Sequence, residues 1–217
     1  MKKIGTLLTA LALVRSFAAC GKTDKTPDST SGSTSGSTSG ESTTASAEQT
    51  TGTSAPETDA ADSPKALLDA IWNNYKEDDK FPAAGGDYDE ANMVDDAPGN
   101  VGLADADSVE HLTGFPAASI GEIDAAASLF HMMNGNSFTC GAYRVKEGTD
   151  VDALAQSIRD AIQGRRWMCG FPDKIVVATV DNYIVSVFGL EDLVDNFRDT
   201  MLAVYPATSV VFDEPIE

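Results

Sequence analysis

Residues 122–145 read EIDAAASLFHMMNGNSFTCGAYRV. The Asn134-Gly135 pair decides how this stretch folds. It is the strongest short hairpin signal, because Asn and Gly tolerate the positive φ angles of a two-residue type I′ turn. Residues 122–133 and 137–145 are therefore predicted to be its two strands, with Phe138, Cys140, Ala142 and Val145 punctuating the second. A second pair follows downstream, Lys174–Val180 and Tyr183–Phe188, around Asp181-Asn182. Between the pairs, Thr149-Asp150 starts a helix with Asp152 in its acidic first turn. Val151, Leu154, Ala155, Ile158, Ala161 and Ile162 fall on one stripe of period 3.6, and Gly164 closes it. A last helix follows Gly189, with Leu193, Val194, Phe197, Met201 and Val204 facing inward.

Upstream, Ser63-Pro64 suits a helix start, since Ser caps and Pro fits the first helical position. Leu67, Ala70, Ile71 and Tyr75 share a face, and Phe81-Pro82 marks a break. Residues 83–104 are Gly- and Asp-rich and read as a long loop. A short helix near Ser108–Leu112 is stopped by Gly114 and Pro116. The order of elements predicts an α+β fold: an antiparallel sheet of about four strands built from two hairpins, with helices packed on one face.

The N-terminal end carries a different kind of signal. Lys2 and Lys3 precede an apolar run from Ile4 to Val14, then Ser16-Phe17-Ala18-Ala19 and Cys20. The run has the length of a signal-peptide core and falls short of the roughly 20 apolar residues that a bilayer span needs. This end resembles a bacterial lipobox, with Phe17 where Leu is usual and Arg15 closing the apolar run. It implies cleavage before Cys20 and lipidation of that cysteine. The bland alternative is an ordinary signal peptide cut after Ala19, with Cys20 a free thiol. Residues 20–62 follow as a Ser/Thr/Gly tract in which Ser-Thr-Ser-Gly occurs three times in succession. With almost nothing to bury, this tract is expected to be disordered. Such a coil would have an end-to-end distance of about 35 Å and stretch to roughly 140 Å. The expected organisation is thus 1–19 signal peptide, 20–62 lipidated tether, and 63–217 a single α+β domain at the outer face of the cell membrane.

Thirty-four acids against 15 Lys and Arg give a formal charge of −19, and the leader holds three of those cations and no acid. A balance this acidic argues against nucleic acid, whose binding needs cations to displace phosphate counterions. Besides Cys20, only Cys140 and Cys169 remain. In an exported chain they either pair or stand as two buried thiols.

In the second half, Met132-Met133-Asn134, the strand end Tyr143-Arg144-Val145-Lys146-Glu147-Gly148, Asp150-Val151-Asp152 and Val180-Asp181-Asn182-Tyr183-Ile184-Val185 form a recognisable series. Over roughly residues 103–205 the chain resembles an uncharacterised family of small lipoproteins, mostly from anaerobic Gram-positive gut bacteria. The connection from Gly164 to Pro172 is shorter and less charged than that family's pattern. The resemblance implies a fold and a location and transfers no catalytic residue.

No Gly-x-Ser-x-Gly, His-Glu-x-x-His, phosphate loop or Cys-x-x-Cys is present. Three constellations remain. His131, Met132 and Met133 with Cys140, and Met168-Cys169 elsewhere, offer soft ligands suited to copper(I). Against this, adjacent strand residues point to opposite faces. Asp87, Asp89, Glu90, Asp95 and Asp96, with Asp105 and Asp107 beyond, could hold calcium or serve a hydrolase, or simply form a solvated loop; Asp105 or Asp107 also suits a helix cap. Arg165-Arg166-Trp167 is the one basic and aromatic cluster. It is a candidate partner contact, or else Trp167 is core and the two arginines are solvated. Together these features predict a membrane-anchored envelope lipoprotein with a non-catalytic binding domain, no cofactor and an envelope ligand. The alternatives are an envelope hydrolase or a metal-handling role.

Overall fold

The computed structural model describes residues 61–217. Residues 1–60, where a signal peptide, a lipidated Cys20 and a tether are expected, lie outside the described residues.

Local sequence explains where the helices begin. Helix α1, Pro64–Asn73, is capped by the Ser63 side chain, which accepts from Ala66 N at 3.1 Å. Helix α2, Ala106–Thr113, is capped by Asp105 and ends at Gly114 with φ 78°. Helix α3, Val151–Gln163, is capped by Asp150. Helix α4, Glu191–Val204, has no side-chain cap. The strands are β1 (Ala83–Gly85), β2 (Val94–Asp95), β3 (Gly99–Val101), β4 (Ile123–His131), β5 (Phe138–Val145), β6 (Lys174–Val180), β7 (Tyr183–Gly189) and β8 (Ser209–Pro215).

All eight strands join one antiparallel sheet of order β2-β1-β4-β5-β7-β6-β8, with β3 also on β4. The expected four-stranded sheet is thus only its centre, β4-β5-β7-β6. Two further corrections concern β4 and the helices. Asn134-Gly135 does not form a type I′ turn, because neither residue takes a positive φ. Instead β4 keeps a partner past its end, Met132 N donating to Pro82 O at 2.9 Å. Asn134 then turns the chain with its own side chain, which accepts from Asn136 N at 3.0 Å.

The helices do not share one face. Leu129, Cys140, Val187 and Val176 form one row across the sheet and pack, in one core, with Leu67, Leu68 and Ile71 of α1 and Val194, Phe197 and Met201 of α4. On the opposite face, Tyr143, Ile184, Ile175 and Val177 pack with Val109 of α2 and Leu154, Ile158 and Ile162 of α3. Strands β6 and β7 are apolar along nearly their whole length because both faces are covered.

The region read as a long loop hides an interrupted strand. Gly85 lies opposite Leu129 on β4, and Gly99 lies opposite Ser128, the next residue along the same edge. β1 and β3 are therefore two halves of one strand, separated by the excursion 86–98. Where the chain leaves and returns, the backbones touch. A Cβ on Gly85 would overlap Gly99 N and sit 2.5 Å from the Ala97 carbonyl oxygen. Fully buried Ser128 satisfies the junction: its Oγ accepts from Gly86 N at 3.0 Å and donates to Gly86 O at 2.5 Å. The excursion is pinned to α1 by Trp72 Nε1, which donates to Asp96 O at 2.8 Å.

β8 forms the far edge and is held by charge. Lys174 and Arg198 both reach Asp213 at 2.7 Å, and Arg159 and Gln163 bond Glu214. Burial opposes ionisation of Asp213, but hydrogen bonds from Lys174 and Arg198 outweigh it and hold the carboxyl below the usual range. A carboxyl whose folded value is depressed contributes stability above the unfolded value, near 4, and loses it as pH falls further. Asp213→Asn is therefore expected to cost about 1 kcal/mol at pH 7, as partly exposed ion pairs do. The difference from the parent should vanish toward pH 2–3. Urea midpoints at the two pH values check this, and a difference that persists in acid would contradict it.

Candidate functional site

At one end of the α2/α3 face, Phe130, Thr139 and Phe188 stand side by side on β4, β5 and β7. They floor a groove of about 390 Å³. Its walls come from four segments: Tyr88 of the excursion, His111 and Leu112 of α2, Met132–Asn136 after β4, and Arg165–Met168 after α3. The two loops are stitched together. Asn136 Nδ2 donates to Met168 O at 2.8 Å and Gly170 O at 3.1 Å, and Asn134 Nδ2 donates to Cys169 O at 3.3 Å. Clamped between those ties, Cys169 takes φ 63°, the left-handed region that non-glycine residues avoid.

Four of the large apolar side chains that the domain exposes, Tyr88, Met132, Met133 and Met168, line the groove. Met133 and Met168 are each 78% exposed and Tyr88 is 61% exposed, while exposed Phe171 lies 6.4 Å from Trp167. Scattered apolar residues are ordinary on a surface, but a contiguous group marks a place where something binds.

The predicted Arg165-Arg166-Trp167 cluster falls on this wall, and its members differ. Arg166 is exposed. Trp167 is half-buried, its ring 5.2 Å from Phe188. Arg165 is half-buried, with its guanidinium carbon 5.0 Å from the Trp167 ring and 5.4 Å from Phe188. Its Nη2 donates to His111 O at 2.7 Å. Burial pulls the Arg165 guanidinium below its ordinary value, and Tyr143, Tyr88 and Glu110 offset part of that. Beneath it lies a closed polar pair, the Tyr143 hydroxyl 3.2 Å from Ser186 Oγ. Burial raises Tyr143 to about 12, against hydrogen bonds from Ser186 and Thr113. The ring of Tyr143 lies over Gly141, where any Cβ would collide with it.

The other predicted constellations come apart or change role. Cys140 sits fully buried on the α1/α4 face, across the sheet from the groove, and Cys169 is exposed. Both are free thiols. Met168 joins His131, Met132 and Met133 at the groove, where the His131 ring also stacks on Phe81 at 5.4 Å and its Nδ1 accepts from Met133 N. Among the described residues, no three His, Cys, Asp or Glu side chains gather to hold a metal ion.

The acidic loop is organised by its own carboxylates. Asp87, Asp89 and Asp105 border a hollow of about 240 Å³. Asp87 accepts from Gly102 N at 2.6 Å, from Asp89 N at 2.8 Å and from Asn92. Burial opposes its ionisation, yet those donors hold it below the usual carboxylate range. The Ser108 hydroxyl and N–H lower Asp105 in the same way, in its role as helix cap. A general acid needs a raised carboxyl, and neither supplies one.

Sequence reasoning singles out Arg165, Arg166 and Trp167, and separately His131, Met132, Met133 and Met168, but not Tyr88, Phe130 or Phe188. These share a site only through strand register and helix packing. The chain enters the domain at the opposite end of the sheet, where Tyr183 Oη donates to Ala61 O at 2.7 Å. From Tyr183 to Phe188 and the groove, β7 covers roughly 20 Å. Among the described residues, no helix is long and apolar enough to cross a membrane. No family model, curated protein or solved structure matches the chain.

Proposed function

We propose that this chain is a lipoprotein of the cell envelope, anchored on the outer face of the membrane through Cys20. Its domain is a non-catalytic binding module that uses the groove beside Arg165 and Trp167. The anchor reading rests on the pattern of residues 1–20 and the tract behind it. The binding reading is carried by one observation: exposed Tyr88, Met132, Met133 and Met168 line one groove at the end of the sheet remote from Ala61.

Cys169 provides the test, because it is exposed on the loop that walls the groove, while Cys140 is inaccessible. On intact cells expressing the full chain, a membrane-impermeant maleimide is expected to label the protein once. Cys169→Ser should abolish that label, and Cys140 should react only after unfolding. Cys20→Ala should release the protein from the membrane fraction. Labelling that appears only after lysis would sink the export reading, and membrane retention of the Cys20→Ala chain would sink the anchor.

A further inference from the structure

Arginine pairing in this domain has one exception that matters. Among the described residues, Arg144 pairs with Asp124, Arg159 with Glu214, and Arg198 with Asp195, Asp199 and Asp213. Arg165 and Arg166 have no ion pair. For Arg166, which is exposed, water suffices. Arg165 is half-buried between two aromatic rings, and no carboxylate among the described residues comes within ion-pair distance of it; Glu110 acts on it only from further away.

The hydrogen bonding is incomplete in the same place. Arg165 Nη1 and Trp167 Nε1 are both closed to solvent and both lack an acceptor. Buried donors left unmet are uncommon, and each such group calls for a missing partner. Both atoms are donors only, so the missing partner is an acceptor. A guanidinium prefers that acceptor to be a carboxylate. Phe130, Phe188, Leu112 and three methionines give the groove an apolar side, with Asn134, Asn136 and Thr139 among its polar lining, and its volume of about 390 Å³ suits a small molecule.

We propose that the groove binds small carboxylic acids with an aromatic or apolar body, the carboxylate meeting Arg165 Nη1 and Trp167 Nε1 and the body lying along Phe188 and Phe130. This deepens the reading of the groove as the ligand site and rests on it. Both donors are closed to solvent, so a ligand reaches them only when neighbouring side chains shift. Met133 and Met168 are unbranched and exposed, and they can move at little cost. The aromatic frame keeps Arg165 oriented while the carboxylate arrives.

The experiment compares 3-phenylpropionate with its neutral amide on the full chain carrying Cys20→Ser. The readout is the two indole N–H resonances and the Met133 and Met168 methyl signals in NMR titrations. Trp72 Nε1 already has its acceptor in Asp96, so its resonance serves as an internal control. The acid is expected to shift the Trp167 indole signal saturably and leave Trp72 in place, with the amide at least tenfold weaker. Arg165→Lys should weaken the acid about tenfold and leave the amide unchanged. Equal affinity for acid and amide, with the methyl signals shifting, would overturn the carboxylate assignment and leave the groove as a binding site. Methyl shifts without movement of the Trp167 indole would do the same. Silence from every groove signal with both compounds would overturn the carboxylate assignment too, and the groove reading would fall with it.

Discussion

Replacing Gly85 by Ala is expected to lose 3 kcal/mol or about that much of folding stability, the upper end of what overpacking costs. The new methyl group would meet backbone on every side: Gly99 N, the Ala97 carbonyl oxygen at 2.5 Å and the Pro98 carbonyl carbon at 2.6 Å. A side chain in the way can change rotamer. Here relief requires β3 to move off β4, which breaks the ladder from Gly99 to Val101. It would also pull Gly86 away from Ser128 and leave that fully buried hydroxyl without its two partners. Urea unfolding of the variant should show a lowered midpoint, and hydrogen exchange should localise the first opening to residues 83–101. An unchanged midpoint would mean that the two halves of the strand are not in contact.

Phe138→Ala is expected to cost more, roughly 3–5 kcal/mol, by leaving a cavity in the α1/α4 core. Phe138 is fully buried at the start of β5, with Phe81 at 4.8 Å and Phe197 of α4 at 5.7 Å. These three rings join the excursion side of the sheet to the last helix, so no single neighbour can fill the gap. Thermal melting gives the comparison, with exposed Phe171→Ala as the control that should leave stability within about 0.5 kcal/mol. Similar losses for the two variants would contradict the packing described for Phe138.

Helices were legible in this chain because their ends are marked by chemistry. Ser63, Asp105 and Asp150 each accept from a backbone N–H in the first turn, as such residues do wherever they precede an apolar stripe. Strands β5, β6 and β7 were legible from their β-branched and aromatic content. The outer strands were not. Gly85-Gly86 and Pro98-Gly99 are what a loop contains, and here those residue types serve a backbone contact that only tertiary structure requires. β8 is an edge strand bearing Asp213 and Glu214, and edge strands carry charge that masks their pattern.

The second layer of helices had a readable signal in the unbroken apolar runs of β6 and β7, which an uncovered face would not tolerate. Asn134-Gly135 misled because a hairpin signal presumes that both strands end together. β4 outlasts its partner and continues onto Pro82. The candidate site was half legible. Arg165 and Trp167 stand out in an acidic chain, but nothing local connects them to Phe130 or Tyr88, which lie far away along the chain.

The interrupted strand makes the tip of the excursion 86–98 a replaceable segment. The two ends of the excursion already touch, so closing it costs little entropy beyond the residues it contains, and that cost grows only slowly with length. Segments can be inserted or exchanged between Tyr88 and Asn92, ahead of β2 and of the Asp96 carbonyl that holds Trp72, without altering the register of any strand. Because Tyr88 reaches the groove from this excursion, ligand preference could diversify in descendants of this chain by changes in one segment, while the sheet and both cores stay as they are.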